Sequence, residues 1–453
     1  MDGAAGRRIE DRLAAAGLPA LPRLAWLEID LDALVANLGE LRALAGAGVA
    51  VQPVVKADAY GHGAVAVARA LESAGADGLC VATYDEAAEL RRGGVRLPIR
   101  VLYPVPSAWV AEAARGGIAL TVGDAAGLEA TLAAAAAARP GRARRALRLH
   151  LEVETGLGRG GVGVDAVRSA VDRIRGAPGV RLAGIWTHLQ EPGDAVRTAR
   201  QVERFEAAVA RLDPVVRDRP TRHLAASGGL LLGNVLSYEG VRPGLATYGL
   251  VPDELLGGTG AADLRPLRLR PILSLHARPV RVADLPPGWG ISYGPTFVTA
   301  RPSRIATLPL GYADGWPRSL SNRAEALVRG QRVPLVGNVA MDAVMADVTD
   351  VPGPPVTTDD EFILLGAQGA EEITVADVAR LRATIGREVM TAMSRRLPRV
   401  YHAAAGLVGE RTLVQPAFDD PRSTIGRIAD QRSATNVPSA SAPRTAARPG
   451  RRT

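Results

Sequence analysis

Cysteine occurs once in this 453-residue chain, at Cys80. No intrachain disulfide can therefore form, and no cysteine-based metal centre is credible. Aromatic residues make up only 4%, and no apolar run reaches the roughly 18–20 residues of a membrane span. Met1 to Leu21 lacks the apolar core of a secretory leader. These absences predict a cytoplasmic protein with no membrane partner and no metal. The rarest functional group is the primary amine: of 55 basic residues, only Lys56 is a lysine. Arginine replaces lysine wherever a solvated charge is enough, but a guanidinium neither forms an imine nor readily sheds a proton.

The position of Lys56 gives this scarcity a meaning. It ends the apolar run Val51-Gln52-Pro53-Val54-Val55 and precedes Ala57-Asp58-Ala59-Tyr60-Gly61-His62-Gly63. A strand running into a glycine-rich turn brings the amine to a strand's C-terminal end, facing a cleft. That placement suits a lysine that forms a Schiff base better than a surface survivor of codon bias.

The net charge of +8 is concentrated at one end. Pro421 to Thr453 carries seven Arg and one Asp among Ser, Thr, Ala and Pro, the composition of a disordered basic tail. The remaining +2 is spread over a body with few aromatics and no block of like charge, so nucleic acid is not expected as a partner. A hydrophobic content of 47% is ample for a large core.

Between residues 24 and 264 short β-rich runs alternate with helical stretches. The expected strands are Pro53–Val55, Leu79–Ala82, Ile99–Tyr103, Ile118–Val122, Leu147–Val153, Leu182–Thr187, Thr221–Ala225 and Val241–Thr247. Eight such units predict a (β/α)8 TIM-type barrel, with a doubly wound sheet as the alternative. From 265 to 411 the texture becomes mainly β, with one helix, Val375–Ile385, capped by Thr374 and Asp377. Residues 1–23 form an N-terminal extension and 412–453 the tail. A strand at Ala25–Ile29 fits either domain.

Polar candidates recur at the C-terminal ends of the barrel strands, where active sites of such barrels lie. Lys56, Arg159, His188 and Ser227 follow four of them, and Arg242 and Gly244 lie in the eighth. In the fifth strand Leu147, Leu149, Leu151 and Val153 alternate with Arg148, His150, Glu152 and Glu154. An edge strand would show this pattern, and so would a barrel strand with charges inside. In the second case Glu152 needs a cation, for which Arg159 is a candidate. Gly156-Leu157-Gly158-Arg159-Gly160-Gly161 imitates a dinucleotide fingerprint, but the next strand ends in His188 with no carboxylate for a ribose.

Val54-Val55-Lys56-Ala57-Asp58-Ala59-Tyr60-Gly61-His62-Gly63 resembles the cofactor-lysine motif of the alanine racemases. The similarity continues in family order through Glu154-Thr155-Gly156-Leu157-Gly158-Arg159-Gly160-Gly161, Thr187-His188, Val241-Arg242-Pro243-Gly244 and Ile291-Ser292-Tyr293-Gly294. It then runs on through Gly311-Tyr312-Ala313-Asp314-Gly315, Met341-Asp342 and Arg396-Leu397-Pro398-Arg399. The resemblance implies a barrel that binds pyridoxal 5'-phosphate, a following β domain, and a head-to-tail homodimer with shared active sites. It implies that Lys56 holds the cofactor and acts as one base, with Tyr293 of the partner subunit as the other. By the same resemblance His188 tunes the bases, Arg242 faces the pyridine nitrogen, and Tyr60, Ser227, Gly244 and Leu245 bind phosphate. Arg159 and the Met341 backbone meet the substrate, and Tyr312 lines the entrance.

Several positions depart from the family pattern. Glu152 stands where many members have a carbamylated lysine, and its carboxylate would serve without modification. Ala226 replaces an asparagine and Ala340 a cysteine, while Arg395 replaces a phosphate-binding tyrosine and would offer a charge instead. The expected activity is interconversion of L- and D-alanine. The alternatives are a racemase of another amino acid in a specialised pathway and a non-catalytic pyridoxal-phosphate-binding protein. A decarboxylase or aldolase would leave Tyr293 without a purpose.

Overall fold

The computed structural model describes residues 8–138, 146–212, 219–233, 236–256, 268–403 and 406–411. The expected basic tail lies outside the described residues.

Eight parallel strands form the barrel: Ala50–Val51, Leu79–Val81, Ile99–Val101, Ile118–Val122, Leu147–Glu154, Val180–Trp186, Thr221–Ala226 and Gly240–Arg242. All neighbouring pairs are parallel, with the first strand beside the eighth. The ring closes where the Val55 amide donates to the Cys80 carbonyl and the Cys80 amide to that of Pro53. The doubly wound alternative is thereby excluded.

Two strand boundaries differ from expectation by more than two residues, and proline accounts for both. The first strand pairs regularly only at Ala50–Val51, because Pro53 has no amide to donate. The eighth stops at Arg242 rather than Thr247. Pro243 breaks the ladder, Gly244 leaves β space, and Leu245–Tyr248 turns into a short helix. Strand five is flanked on both sides, so the edge-strand reading of its charges fails. His150 points its Nδ1 at His223 Nε2, 3.0 Å away, and Glu152 is buried.

The β domain is a ten-strand path through Arg281–Leu285, Ser303–Leu308, Val344–Asp347, Gln331–Val336, Glu325–Val328, Phe362–Gln368, Leu273–Ala277, Ala25–Asp30, Arg399–Ala403 and Gly406–Arg411. The N-terminal strand thus belongs here, antiparallel to Leu273–Ala277 and parallel to Arg399–Ala403. This domain is assembled from both ends of the chain, around the barrel. Asp30 then caps helix Leu31–Ala45, accepting from the Ala33 amide at 2.8 Å, and the helix packs on barrel helix Ala64–Ser73. The helix expected over Val375–Ile385 ends at Arg382, where Ala383 turns left-handed, and Gly386–Thr391 is a separate helix.

The described part of the N-terminal extension carries a helix. Helix Ile9–Ala15 buries Ile9 and Leu13 against Trp26 and Val400. Arg12 forks onto both oxygens of Glu28 at 2.7 and 2.8 Å. His276, stacked on Trp26, donates from Nδ1 to Glu361 Oε1 at 2.7 Å. Burial acts to raise the Glu28 carboxyl, but His276 and Arg12 overcome it and hold it at about 2. Burial opposes the charge on His276, but Glu28 and Glu361 overcome that and raise it above the ordinary value. Stability from the His276 charge is therefore complete below about pH 6.5 and is lost as pH rises through the raised value. The melting temperature should fall across that window, and His276→Gln should remove that part of the slope. An identical slope in the variant would contradict the assignment.

Candidate active site at the barrel mouth

Lys56 opens a turn of unusual handedness. Ala57, Asp58, Ala59 and Tyr60 all have φ between 51° and 55°. For residues with a Cβ this left-handed course costs about 1–2 kcal/mol each, so the surroundings must enforce it. The Ala57 amide donates to Glu86 at 2.6 Å, and the Ala64 amide to Asp58 at 2.8 Å. At Gly63, φ is 96° and an added Cβ would collide with the Tyr401 hydroxyl. The turn delivers Lys56 and Tyr60 to the same mouth. Tyr60 lies on the Tyr248 ring, 4.9 Å between centroids.

The amine of Lys56 sits among cations. Burial lowers its proton affinity, Arg159 and Arg387 lower it further, and Glu86 partly opposes them. His188 is pushed down to about 3, first by loss of water, then by Arg242, Arg159 and Lys56. It is thus neutral at physiological pH. Gln201, on helix Ala195–Val209, donates to the His188 carbonyl at 3.1 Å and to Thr155 at 3.2 Å.

Arg242 is buried. Its guanidinium donates to the carbonyls of His223 at 2.7 Å and Thr187 at 2.9 Å, and it covers the Trp186 ring. Burial lowers its pKa to about 9, so it stays a cation at neutral pH. Arg100 and Arg242 both donate to His223 Nδ1, which places that ring's proton on Nε2, toward His150. At the rim, Arg159 stands 3.7 Å from Glu152 and over the Tyr103 ring.

The phosphate-binding candidates also converge. The Ser227 hydroxyl accepts from the Gly244 amide at 2.9 Å and the Ala246 amide at 3.1 Å, and Leu245 lies between them. A Cβ at Gly244 would stand 2.6 Å from the Tyr60 hydroxyl, so only glycine leaves that space open. Hydroxyls and backbone amides around a small gap are the donor set that a phosphate takes.

Three expected residues sit apart from this group, and a fourth has other partners. Tyr293 is 75% exposed, and Tyr312 and Met341 are also exposed on the β domain. Asn338 donates to the Tyr293 carbonyl at 2.8 Å, and the Tyr312 amide to Ala340 at 3.1 Å. Among the described residues no hydrogen bond, ion pair or ring contact joins these three to Lys56, Arg159 or His188. Arg395 is engaged by carboxylates, 3.5 Å from Asp58 and 3.4 Å from Glu89. The sequence reading missed Arg387, which acts on Lys56, Tyr60 and His188 from helix Gly386–Thr391 and pairs with Glu254. Nothing marks it among so many arginines. Gln201 was missed for a similar reason, being an ordinary helix residue in sequence. Among the described residues no cluster suits a metal ion, and no helix is long and apolar enough to cross a membrane.

Known proteins share this arrangement. Residues 29–252 match the family model "Alanine racemase, N-terminal domain", and 272–401 match "Alanine racemase, C-terminal domain". An alanine racemase of Symbiobacterium thermophilum is 42% identical over 382 residues, 84% of this chain and 97% of that protein. The Bacillus anthracis alanine racemase structure with bound L-Ala-P superposes with a TM-score of 0.79 at 32% identity, covering 87% of this chain and 99% of that one. The Bartonella henselae structure with covalently bound pyridoxal phosphate gives 0.72 at 28% identity, covering 84% and 100%. With both halves of the model matched in order and the fold shared throughout, the chain belongs to the alanine racemase family.

Proposed function

We propose that this chain interconverts L- and D-alanine, with pyridoxal 5'-phosphate held by Lys56 and with Lys56 and Tyr293 as its two bases. The observation that carries the reading is the chain's single side-chain amine, set on an enforced turn, with lowered proton affinity, beside a hydroxyl-and-amide phosphate cradle. The residues fit the cofactor: Tyr60, Ser227, Gly244 and Leu245 would hold its phosphate, and Arg242 would face its ring nitrogen. When bound, it supplies delocalisation of the electron pair left as the α-proton departs.

The protein's own groups do the rest. Arg242, a cation at neutral pH, would donate rather than accept at the ring nitrogen, which would favour simple proton return over transamination. Arg159 binds the substrate carboxylate, and Glu152 holds Arg159. Lys56 removes or returns a proton on one face of the α-carbon, and the partner subunit's Tyr293 serves the other face. Neutral His188 lies on the path by which the tyrosine is tuned. Arg387 adds positive potential where Tyr60 stands, a role that the sequence reading gave to Arg395.

A homodimer supports this division. Tyr293, Tyr312, Met341, Trp289 and Val298 are exposed apolar side chains of the β domain, the kind of surface that a second copy covers. The barrel within 24–264 would thus bind the cofactor, and 265–411 would lend the second base across the interface. A cytoplasmic location agrees with the single buried cysteine.

Purified protein with pyridoxal phosphate and L-alanine should yield D-alanine by chiral analysis, faster than it inverts serine, lysine or glutamate. No turnover of alanine beside a faster substrate would favour the racemase of another amino acid. Glu152→Gln should raise the KM for alanine roughly five- to tenfold while changing kcat less, as loss of one charge-assisted contact predicts. Burial raises the Glu152 carboxyl, so the wild-type KM should also climb as pH falls through that raised value. A KM profile in the variant that still climbs there would refute the pairing.

A further inference from the structure

The left-handed turn is gripped from outside the barrel. Asp58, second of its four residues, receives Arg411 as a fork, Nη1 to Oδ1 at 2.8 Å and Nη2 to Oδ2 at 2.7 Å. Arg411 ends the last described strand of the β domain, 353 residues away along the chain. The neighbouring strand adds two ties: Arg399 donates to the Gly61 carbonyl at 2.9 Å, and the Tyr401 hydroxyl donates to that of His62 at 3.2 Å. The fork is shielded, with side-chain exposures of 14% for Arg411 and 9% for Asp58, so salt screens it little.

We infer that Arg411 is a positioning residue for the cofactor site, keeping Ala57–Tyr60 left-handed through Asp58 and so placing Lys56 and Tyr60 together. The identity of the bound group rests on the function proposed above; the grip itself does not. A contact that merely docked two domains could fall on any helix or strand. This one closes on the middle of a segment in which four Cβ-bearing residues occupy a disfavoured region. Once released, residues with a Cβ would favour the right-handed region, and a turn that changed hand would move the Lys56 amine and the Tyr60 hydroxyl together. Burial would lower the Arg411 pKa, yet the bond to Asp58 reverses this and raises it, as expected of a committed pair. The β domain therefore acts on its own barrel's cofactor lysine.

The test compares wild type with Arg411→Gln, Arg411→Lys, Asp58→Asn and the Asp58→Asn/Arg411→Gln double variant. Amide hydrogen exchange of residues 57–63 is read in the cofactor-free protein, and pyridoxal-phosphate affinity from the absorbance of the lysine-bound form. Arg411→Gln should speed exchange in the turn and weaken cofactor affinity about 10- to 100-fold, the loss expected of one charge-assisted fork. The lysine variant should recover part of both, and the double variant should be no worse than the poorer single. Unchanged exchange in the turn, unchanged affinity in a folded Arg411→Gln protein, or fully additive losses in the double variant overturn the inference. If Arg411→Gln does not fold, Arg411→Lys and Asp58→Asn decide by the same readings. A wild-type protein that never forms the lysine-bound species would overturn the proposed function, while the exchange comparison would still judge the grip.

Discussion

Lys56→Ala is expected to abolish racemisation, with a fall of at least about 10³-fold, because it removes the covalent anchor and one of two bases together. The chain is unusually well suited to this test. No other lysine exists to substitute, so residual activity cannot be assigned to a neighbouring amine. Lys56→Arg sharpens the result. It preserves a cation between Glu86 and Arg159, and if local charge were the contribution, activity would survive. Loss in both variants assigns the effect to the amine. Borohydride treatment of the wild-type holoenzyme should fix the cofactor on the peptide containing Lys56. Racemisation at wild-type speed in Lys56→Ala would end the proposed mechanism.

The resemblance was legible because the motifs are punctuated by residues with no freedom to vary locally. Lys56 is identified by scarcity, Gly63 by the Tyr401 hydroxyl against it, and Gly244 by the Tyr60 hydroxyl. Alternation in strand five left an edge strand and an interior charge set both open; pairing on both sides and burial of His150 and Glu152 decide for the interior. What sequence could not reveal depends on distant parts of the chain. Ala25–Asp30 reads as a strand anywhere, but its partners lie about 250 and 370 residues away, so its domain was undecidable locally. Strand eight looked continuous to Thr247 because Val241 and Leu245 are apolar, while Pro243 silently removes a donor. The left-handed run at Ala57–Tyr60 has no local cause at all, since alanine and tyrosine avoid it. Arg387 and Arg411 escape notice for a related reason: among 55 basic residues, only the fold distinguishes a functional guanidinium from a solvated one.

Tyr293→Phe should leave cofactor binding intact and cut racemisation about 10²–10⁴-fold, since it deletes one proton-handling group without disturbing the barrel. Tyr293 is exposed in the single chain, and among the described residues it hydrogen-bonds only through its carbonyl, so the lost hydroxyl costs the fold little. Mixing separates a tyrosine lent across an interface from one acting in its own subunit. Lys56→Ala and Tyr293→Phe chains are each inactive alone. When subunits exchange, a hybrid dimer has one site with the lysine of the Tyr293→Phe chain and the tyrosine of the Lys56→Ala chain, and another site with neither. Random exchange makes half the dimers hybrids, so an equal mixture should regain about a quarter of wild-type activity. A tyrosine serving its own barrel would give no recovery at any mixing ratio. Recovery should also depend on protein concentration, disappearing where dimers dissociate, which a shared site requires and a self-contained barrel does not.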